Sequence, residues 1–218
     1  MLFDFIIPIM VHMVSYWVPV FTFYILDYQC SDNIERLNLE YPKAIKTSLS
    51  NQLIITLPVF YLLKDFINNA ALKASDDSIC LSIGKTFLII NFANLLFYFS
   101  HRLLHTKILF AHIHHIHHEF RKPIGAATFY AHPIEHLFTN VLSFLIPVIL
   151  VGVKYWILIM LLSFSTIMGV TAHSEHEILP VFLSGSEHLV HHESSHSNYG
   201  FGKYLDKLFD TYRIMNKN

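Results

Sequence analysis

LSIGKTFLIINFANLLFYFSHRLLH, Leu81 to His105, passes without interruption from an apolar run into two histidines four residues apart. The apolar part, Leu81–Phe99, has the length that crosses a bilayer, about 20 residues. Its continuity with His101 places the first histidine pair at or just beyond the membrane surface. Thirteen residues on, the chain reads HHIHH, with His114, His117 and His118 at spacings of zero, three and four. The same spacing returns as His188, His191 and His192. On a helix, residues three and four apart share a face, with Cβ atoms about 5–6 Å apart, so each group can aim several imidazoles at one point. Neutral imidazole is a ligand for Zn, Fe, Cu and Ni, and this many convergent rings call for more than one ion.

Composition supports a membrane setting. Of 218 residues, 53% are hydrophobic and only 14% charged, against about 25% charged in soluble domains; the mean hydropathy is +0.43. Net charge is −1 and no basic block points to nucleic acid. Cys30 and Cys80 stand alone in different segments and form neither a metal spacing nor a disulfide framework. All 16 histidines except His12 follow residue 100. Residues 1–100 are therefore read as a membrane-spanning scaffold and residues 101–213 as the histidine-bearing domain, within one membrane-embedded unit.

Further apolar runs lie on either side of Leu81–Phe99. Phe5–Leu26 is long enough to span and lacks the basic start and small-residue cleavage site of a signal peptide. His12 within it is expected to be a packed residue. A polar connector, 27–47, precedes a second run at Ser48–Leu63. Leu137–Thr171 is broken only at Gly152–Lys154, which predicts a hairpin of two helices and returns the chain to the face it left. Connector 27–47, segment 101–136 and the tail hold Arg36, Lys43, Lys46, Arg102, Lys107, Arg121, Lys122, Lys203, Lys207, Arg213 and Lys217. The opposite side holds Lys64, Lys73 and Lys154. By the positive-inside rule the histidines face the cytosol. The expected fold is an all-α integral membrane protein of four to five apolar helices, some paired as hairpins. A cytosolic helical cap carries a histidine-rich site for two metals. Asn91 and Asn94 are expected to pack between spans.

The histidines continue as AHPIEH (131–136) and HSEH (173–176) before HLVHH (188–192). In order, spacing and flanking residues, HRLLH, IHHIHHEF, AHPIEH, HSEH and HLVHH resemble the fatty acid hydroxylase / sterol desaturase superfamily of membrane non-haem di-iron enzymes. Asn198-Tyr199-Gly200 followed by Asp206-Lys207-Leu208-Phe209 is similar to the family's closing signature, with Leu205 where Trp is usual. The likeness runs from about Leu95 to Arg213. It implies metal ligands at His101, His105, His114, His117, His118, His173, His188, His191 and His192. A further ligand is expected near His176, because the family often has a His where this chain has Glu177. His132, His136 and Asn198 are expected just outside the ligands, where hydrogen bonds orient ligand rings. His112, His115 and His196 are expected to face solvent. The resemblance also implies two iron ions, O2, and electrons from NAD(P)H through a b-type cytochrome or reductase. The polar segments are too short to fold such a carrier, so it is expected as a separate partner. The implied reaction is hydroxylation or desaturation of a lipid, a sterol or long-chain fatty acyl lipid, in lipid biosynthesis at the endoplasmic reticulum. AHPIEH and the Asn-Tyr-Gly element lean toward the sterol-modifying members, both 4-methyl oxidases and carbon-5 desaturases.

Rival readings start from the same residues. His192-Glu193-Ser194-Ser195-His196 matches HExxH, in which two histidines bind zinc and the Glu is the general base of a metalloprotease. That reading leaves HRLLH and IHHIHH without a purpose. Glu193 and His196 also fit half of a carboxylate-bridged di-iron pattern, but the second half is absent. A metal transporter would carry polar residues midway through its spans, and here the spans are clean apart from Asn91 and Asn94.

Overall fold

The first helix, α1 (Leu2–Cys30), packs along α8 (Tyr155–Ala172). In the computed structural model the backbone is described over residues 2–176 and 185–214, and among these residues there are helices but no strands. Five stretches are long and apolar enough to cross a membrane: Phe5–Cys30, Ile34–Lys73, Ile79–Leu104, Pro133–Val151 and Tyr155–Ala172.

The connector expected at 27–47 is instead mostly helical. Asn33 caps α2 (Ile34–Asn51) by accepting a hydrogen bond from the Arg36 amide. Helix α2 then continues through a π-helical stretch, Gln52–Thr56, into α3 (Leu57–Lys73). At 1.5 Å per residue such a run is about 60 Å long, twice the ~30 Å hydrocarbon layer, so α2 extends beyond the membrane and joins the cap. Its buried face, Leu37, Tyr41, Ala44, Ser48 and Asn51, recurs at helical spacing. The polar residues that made 27–47 look like a loop occupy the other face.

Ser78 caps α4 (Ile79–Leu104) through the Leu81 amide, and α4 carries His101 in its last turn, with His105 as its C-cap. Helix α5 (Lys107–His112) and a 3-10 turn, His114–Glu119, carry the chain across the membrane face. A second 3-10 turn, Gly125–Phe129, leads to α6 (Pro133–Glu135), a π-helical stretch at His136–Leu142 and α7 (Ser143–Val151). The break expected at Gly152–Lys154 is present. Gly152 has φ +70°, and a Cβ there would sit 2.8 Å from the Ala70 carbonyl oxygen, so only glycine fits without strain. The chain resumes as α8, then α9 (Gly185–Ser194) and α10 (Lys203–Leu208).

Two apolar cores divide the work. One joins α3, α4, α7 and α8 around Phe60, Ile89, Leu145, Leu158 and Leu162 within the bundle. The other lies under the cap, where α1 and α2 clasp residues 120–130. There, polar side chains of α1 and α2 hold the turn by its carbonyls. Tyr16 and Ser48 donate to Ala126 O, and Asn51 donates to both Phe129 O and Ala131 O. A smaller core of Tyr98, Tyr199 and Leu205 seats the tail on α4, so the departure at Leu205 still fills a buried position. Of the two expected packing asparagines, Asn94 accepts from the Phe201 amide, whereas Asn91 is exposed and bonds back to Phe87 O in its own helix.

Candidate metal centre

The histidines gathered at or beyond the ends of these helices fall into two groups. One is His101, His105, His114, His118 and His191; the other is His117, His173, His188 and His192. Within each group one nitrogen per ring lies within 4.8 Å of every other. Each HxxHH triplet is divided between them. His114 and His118 of the first serve the five-histidine group while His117 turns to the other. In the second triplet His188 and His192 join the four-histidine group and His191 crosses to the five. The i+4 members, His118 and His192, meet at the boundary, with ring centroids 4.7 Å apart.

Backbone carbonyls orient the rings. His101 Nδ1 donates to Tyr199 O at 2.8 Å, His117 Nδ1 to Tyr130 O at 3.0 Å, His173 Nδ1 to Gly169 O at 2.8 Å and His191 Nδ1 to Ser197 O at 2.7 Å. His114 Nδ1 lies 2.8 Å from Oε1 of the buried Glu135. A ring that spends its proton on Nδ1 presents a bare lone pair at Nε2. Yet His117 Nε2 and His173 Nε2 are 3.2 Å apart, which sets lone pair against lone pair. His191 Nε2 is buried and has no hydrogen-bond partner among the described residues. Protonation does not relieve these contacts. Burial pushes His117 down to about 4 and His173 to about 3, and it lowers His188, His191 and His192 well below the usual imidazole range, with neighbouring imidazoles adding to the shift for all but His117. The rings are therefore neutral near pH 7, and a cation between the nitrogens resolves the repulsion.

The spacing fits one. With metal–nitrogen bonds of about 2.1 Å, adjacent ligands at a right angle stand roughly 3.0 Å apart and opposite ligands roughly 4.2 Å. The Nε2···Nε2 separations are 2.8–3.2 Å for His114 with His101, His105 and His118. They are 3.0–3.2 Å along His173, His188 and His192. An all-imidazole donor set suits first-row transition metals and excludes Mg and Ca, which take oxygen ligands.

His176 joins neither group. Its Nε2 lies 2.8 Å from Asp27 Oδ1, and its ring stacks on Phe23. Asp27 also accepts from Tyr41, so His176 ties the end of α8 to α1 and α2. Glu177, the alternative at this place, lies outside the described residues. His132 does not orient a ligand; its Nδ1 accepts from the Ile134 amide and caps α6. Nor does His136, which is buried against Thr56 and Asn140. Asn198 acts one step removed. With φ 56° it clasps Glu187 O and the Arg213 backbone, which fixes the flanking Ser197 and Tyr199 carbonyls that hold His191 and His101. His112, His115 and His196 are exposed. Helix α9 ends at Ser194 and Ser195 has φ 54°, so His192 and His196 do not share a helical face and Glu193 points to solvent. The HExxH reading has no geometric basis.

Sequence reasoning passed over the orienting groups. Carbonyls carry no side-chain signal. Glu135 did carry one: a lone carboxylate between two histidines at the head of an apolar run. A cavity of ≈ 270 Å³ opens beneath the histidines, reached by His101, His117, His173 and His188 and walled mostly by apolar side chains of α4, α7 and α8.

The profile of the fatty acid hydroxylase family matches residues 86–211. The chain belongs to the fatty acid hydroxylase family. It is 30% identical over 171 residues to the human fatty acid hydroxylase domain-containing protein 2, covering 78% of this chain and 51% of that protein. A putative methylsterol monooxygenase of Dictyostelium discoideum is 31% identical over 181 residues, 77% of this chain and 66% of that protein. A very-long-chain aldehyde decarbonylase of Oryza sativa is 33% identical over 127 residues, 53% of this chain and 47% of that protein. The chain thus spans about half the length of the human relative. No solved structure matches it. Family membership and five apolar helices make this a membrane protein.

Proposed function

We propose that this chain is a membrane lipid oxidoreductase that uses two iron ions and O2 to hydroxylate or desaturate a sterol or long-chain fatty acyl lipid. The observation that carries the reading is the pair of histidine groups, braced on carbonyls and opening on an apolar cavity within the spans. Five nitrogens exceed the four-coordinate shell of structural zinc, which favours iron in the larger group. Bound iron supplies the O2 reduction that breaks an unactivated C–H bond; the protein supplies binding, orientation and exclusion of water. Carbonyl acceptors lock His101, His117, His173 and His191 in one tautomer, so each presents Nε2 inward. The walls hold a hydrocarbon beside the histidines and keep bulk water away. The putative methylsterol monooxygenase and the aldehyde decarbonylase among the relatives bear names of lipid chemistry, which supports the substrate class. Two electrons per turnover come from NAD(P)H through a b-type cytochrome or reductase. The basic residues of the histidine-bearing face favour a cytosolic orientation, in the endoplasmic reticulum.

Elemental analysis of protein purified in mild detergent under reducing, low-oxygen conditions tests this directly. The expected result is about two irons per chain, with oxidised lipid detected by mass spectrometry after supply of a reductant. Lipid oxidation that survives His114→Ala would overturn the reading, because His114 meets three other rings of its group.

A further inference from the structure

Membrane spans rarely bury polar side chains without a use for them, and one set here serves neither metal group. His12 of α1, 6% exposed, lines the cavity together with Thr56, His136, Asn140 and Thr166, and Gln52 lies behind them. Two of the four elements that present them are π-helical, Gln52–Thr56 and His136–Leu142, and Thr56 reaches His136 across the gap at 2.8 Å. π-Helical turns are rare and concentrate at functional sites. His12 and His136 both pack on the Phe129 ring, with centroids 5.4 and 4.9 Å away, so the set gathers around one point on the wall.

The hydrogen bonds within the set do not close. The Thr166 hydroxyl donates to Leu162 O at 2.8 Å, so toward His12 Nδ1 at 3.3 Å it can only accept. His12 therefore carries its proton on Nδ1, and Nε2 is left as an acceptor whose sole partner among the described residues is the Gln52 amide at 3.5 Å. That is the outer limit of a hydrogen bond. His136 Nδ1 faces the Asn140 amide at 3.3 Å and so accepts, which leaves Nε2–H to donate to Thr56 Oγ1. The Thr56 hydroxyl proton is then unspent. The Gln52 side-chain oxygen, Oε1, is buried with no hydrogen-bond partner among the described residues. The cavity wall thus offers a donor at Thr56 and a poorly satisfied acceptor at His12, and the residues of the cluster itself carry no carboxylate, Lys or Arg.

We infer that this cluster is a subsite for one uncharged hydroxyl group of the lipid, which accepts from Thr56 and donates to His12 Nε2. The inference rests on the lipid-oxidising reading and narrows it. A lipid hydroxyl anchored in the spans holds a chosen carbon at the histidines, whereas a charged headgroup finds no counter-ion there. A site built to hydrogen-bond a hydroxyl also rejects the analogue that lacks it, because its own polar groups are then left unpaired.

The test is retention of radiolabelled probes by the full chain in lipid nanodiscs, using two matched pairs: cholesterol against cholestane, and hexadecan-1-ol against hexadecane. The expected result is a preference for the alcohol of about tenfold or more in at least one pair. That preference should fall to about twofold or less in Thr56→Val and in His12→Phe, and return in Thr56→Ser. A cluster that merely ties helices together would lower retention of alcohol and hydrocarbon alike and leave their ratio unmoved, which overturns the inference. So does an absence of preference in both pairs, or a preference that survives both variants. Metal content measured on the same samples separates the two readings. Retention needs no turnover, so a chain without iron condemns the oxidase and still reports on the hydroxyl subsite.

Discussion

The two histidine groups are built from the same triplets and braced differently. The five-histidine group is held from three directions: His101 by Tyr199 O, His191 by Ser197 O, and His114 by the Glu135 carboxylate. Two of those braces belong to the C-terminal tail. Asp206, buried beneath it, accepts from the Tyr199 and Gly200 amides and from Thr211. The four-histidine group leans on the membrane bundle, through Gly169 O in α8 and through Tyr130 O in the turn that Asn51 holds. Nearly identical local motifs thus make one site that depends on the tail and another that depends on the spans.

The sharpest way to break this comparison is on α9, where adjacent residues serve different groups. His191→Ala is expected to empty the five-histidine group and His192→Ala the other, each leaving about one ion per chain, and the double variant none. Elemental analysis with timed chelation checks it; two single variants that lose the same ion would refute the partition. Next in size is Asp206→Asn, which loosens the Tyr199 carbonyl without touching a ligand. Metal affinity of the five-histidine group is expected to fall by about 10–100-fold, with the second ion unchanged, read by competition with a chelator. Gly152→Ala forces a side chain against the Ala70 carbonyl at positive φ. It is expected to cost about 1–3 kcal/mol of stability, measured by thermal unfolding in detergent, with both ions lost together. The smallest effects belong to histidines outside both groups. His196→Ala and His176→Ala are expected to keep metal content within about 10% of the parent, and breaking the largely buried His176–Asp27 hydrogen bond to cost about 1 kcal/mol.

Much of this was legible before any coordinates. Apolar length revealed the spans, and Gly152 marked the hairpin because the backbone there needs a residue without a side chain. Histidine spacing and the family resemblance picked out ten candidate ligands, and nine of them meet in the two groups. The partition was hidden. Spacings of three and four share a face of a regular α-helix, but His114–Glu119 is a 3-10 turn in which His117 joins a different group from its neighbours. Helix α2 was hidden because Glu35, Arg36 and Lys43 dominate its composition while Leu37, Tyr41 and Ala44 set its buried period. His132 and His136 were misplaced for a similar reason. Pro133 opens a new helix between them, so one caps it and the other turns inward toward Thr56.

The division of the triplets also sets an order on biosynthesis. His101, His105, His114 and His118 leave the ribosome 73 to 90 residues ahead of His191, and His117 leaves it 71 and 75 residues ahead of His188 and His192. Neither group has its full set of nitrogens until α9 has been made and has folded back over the first triplet. Assembly of either group is thereby tied to a late step of maturation, and a nascent chain holds only part of each.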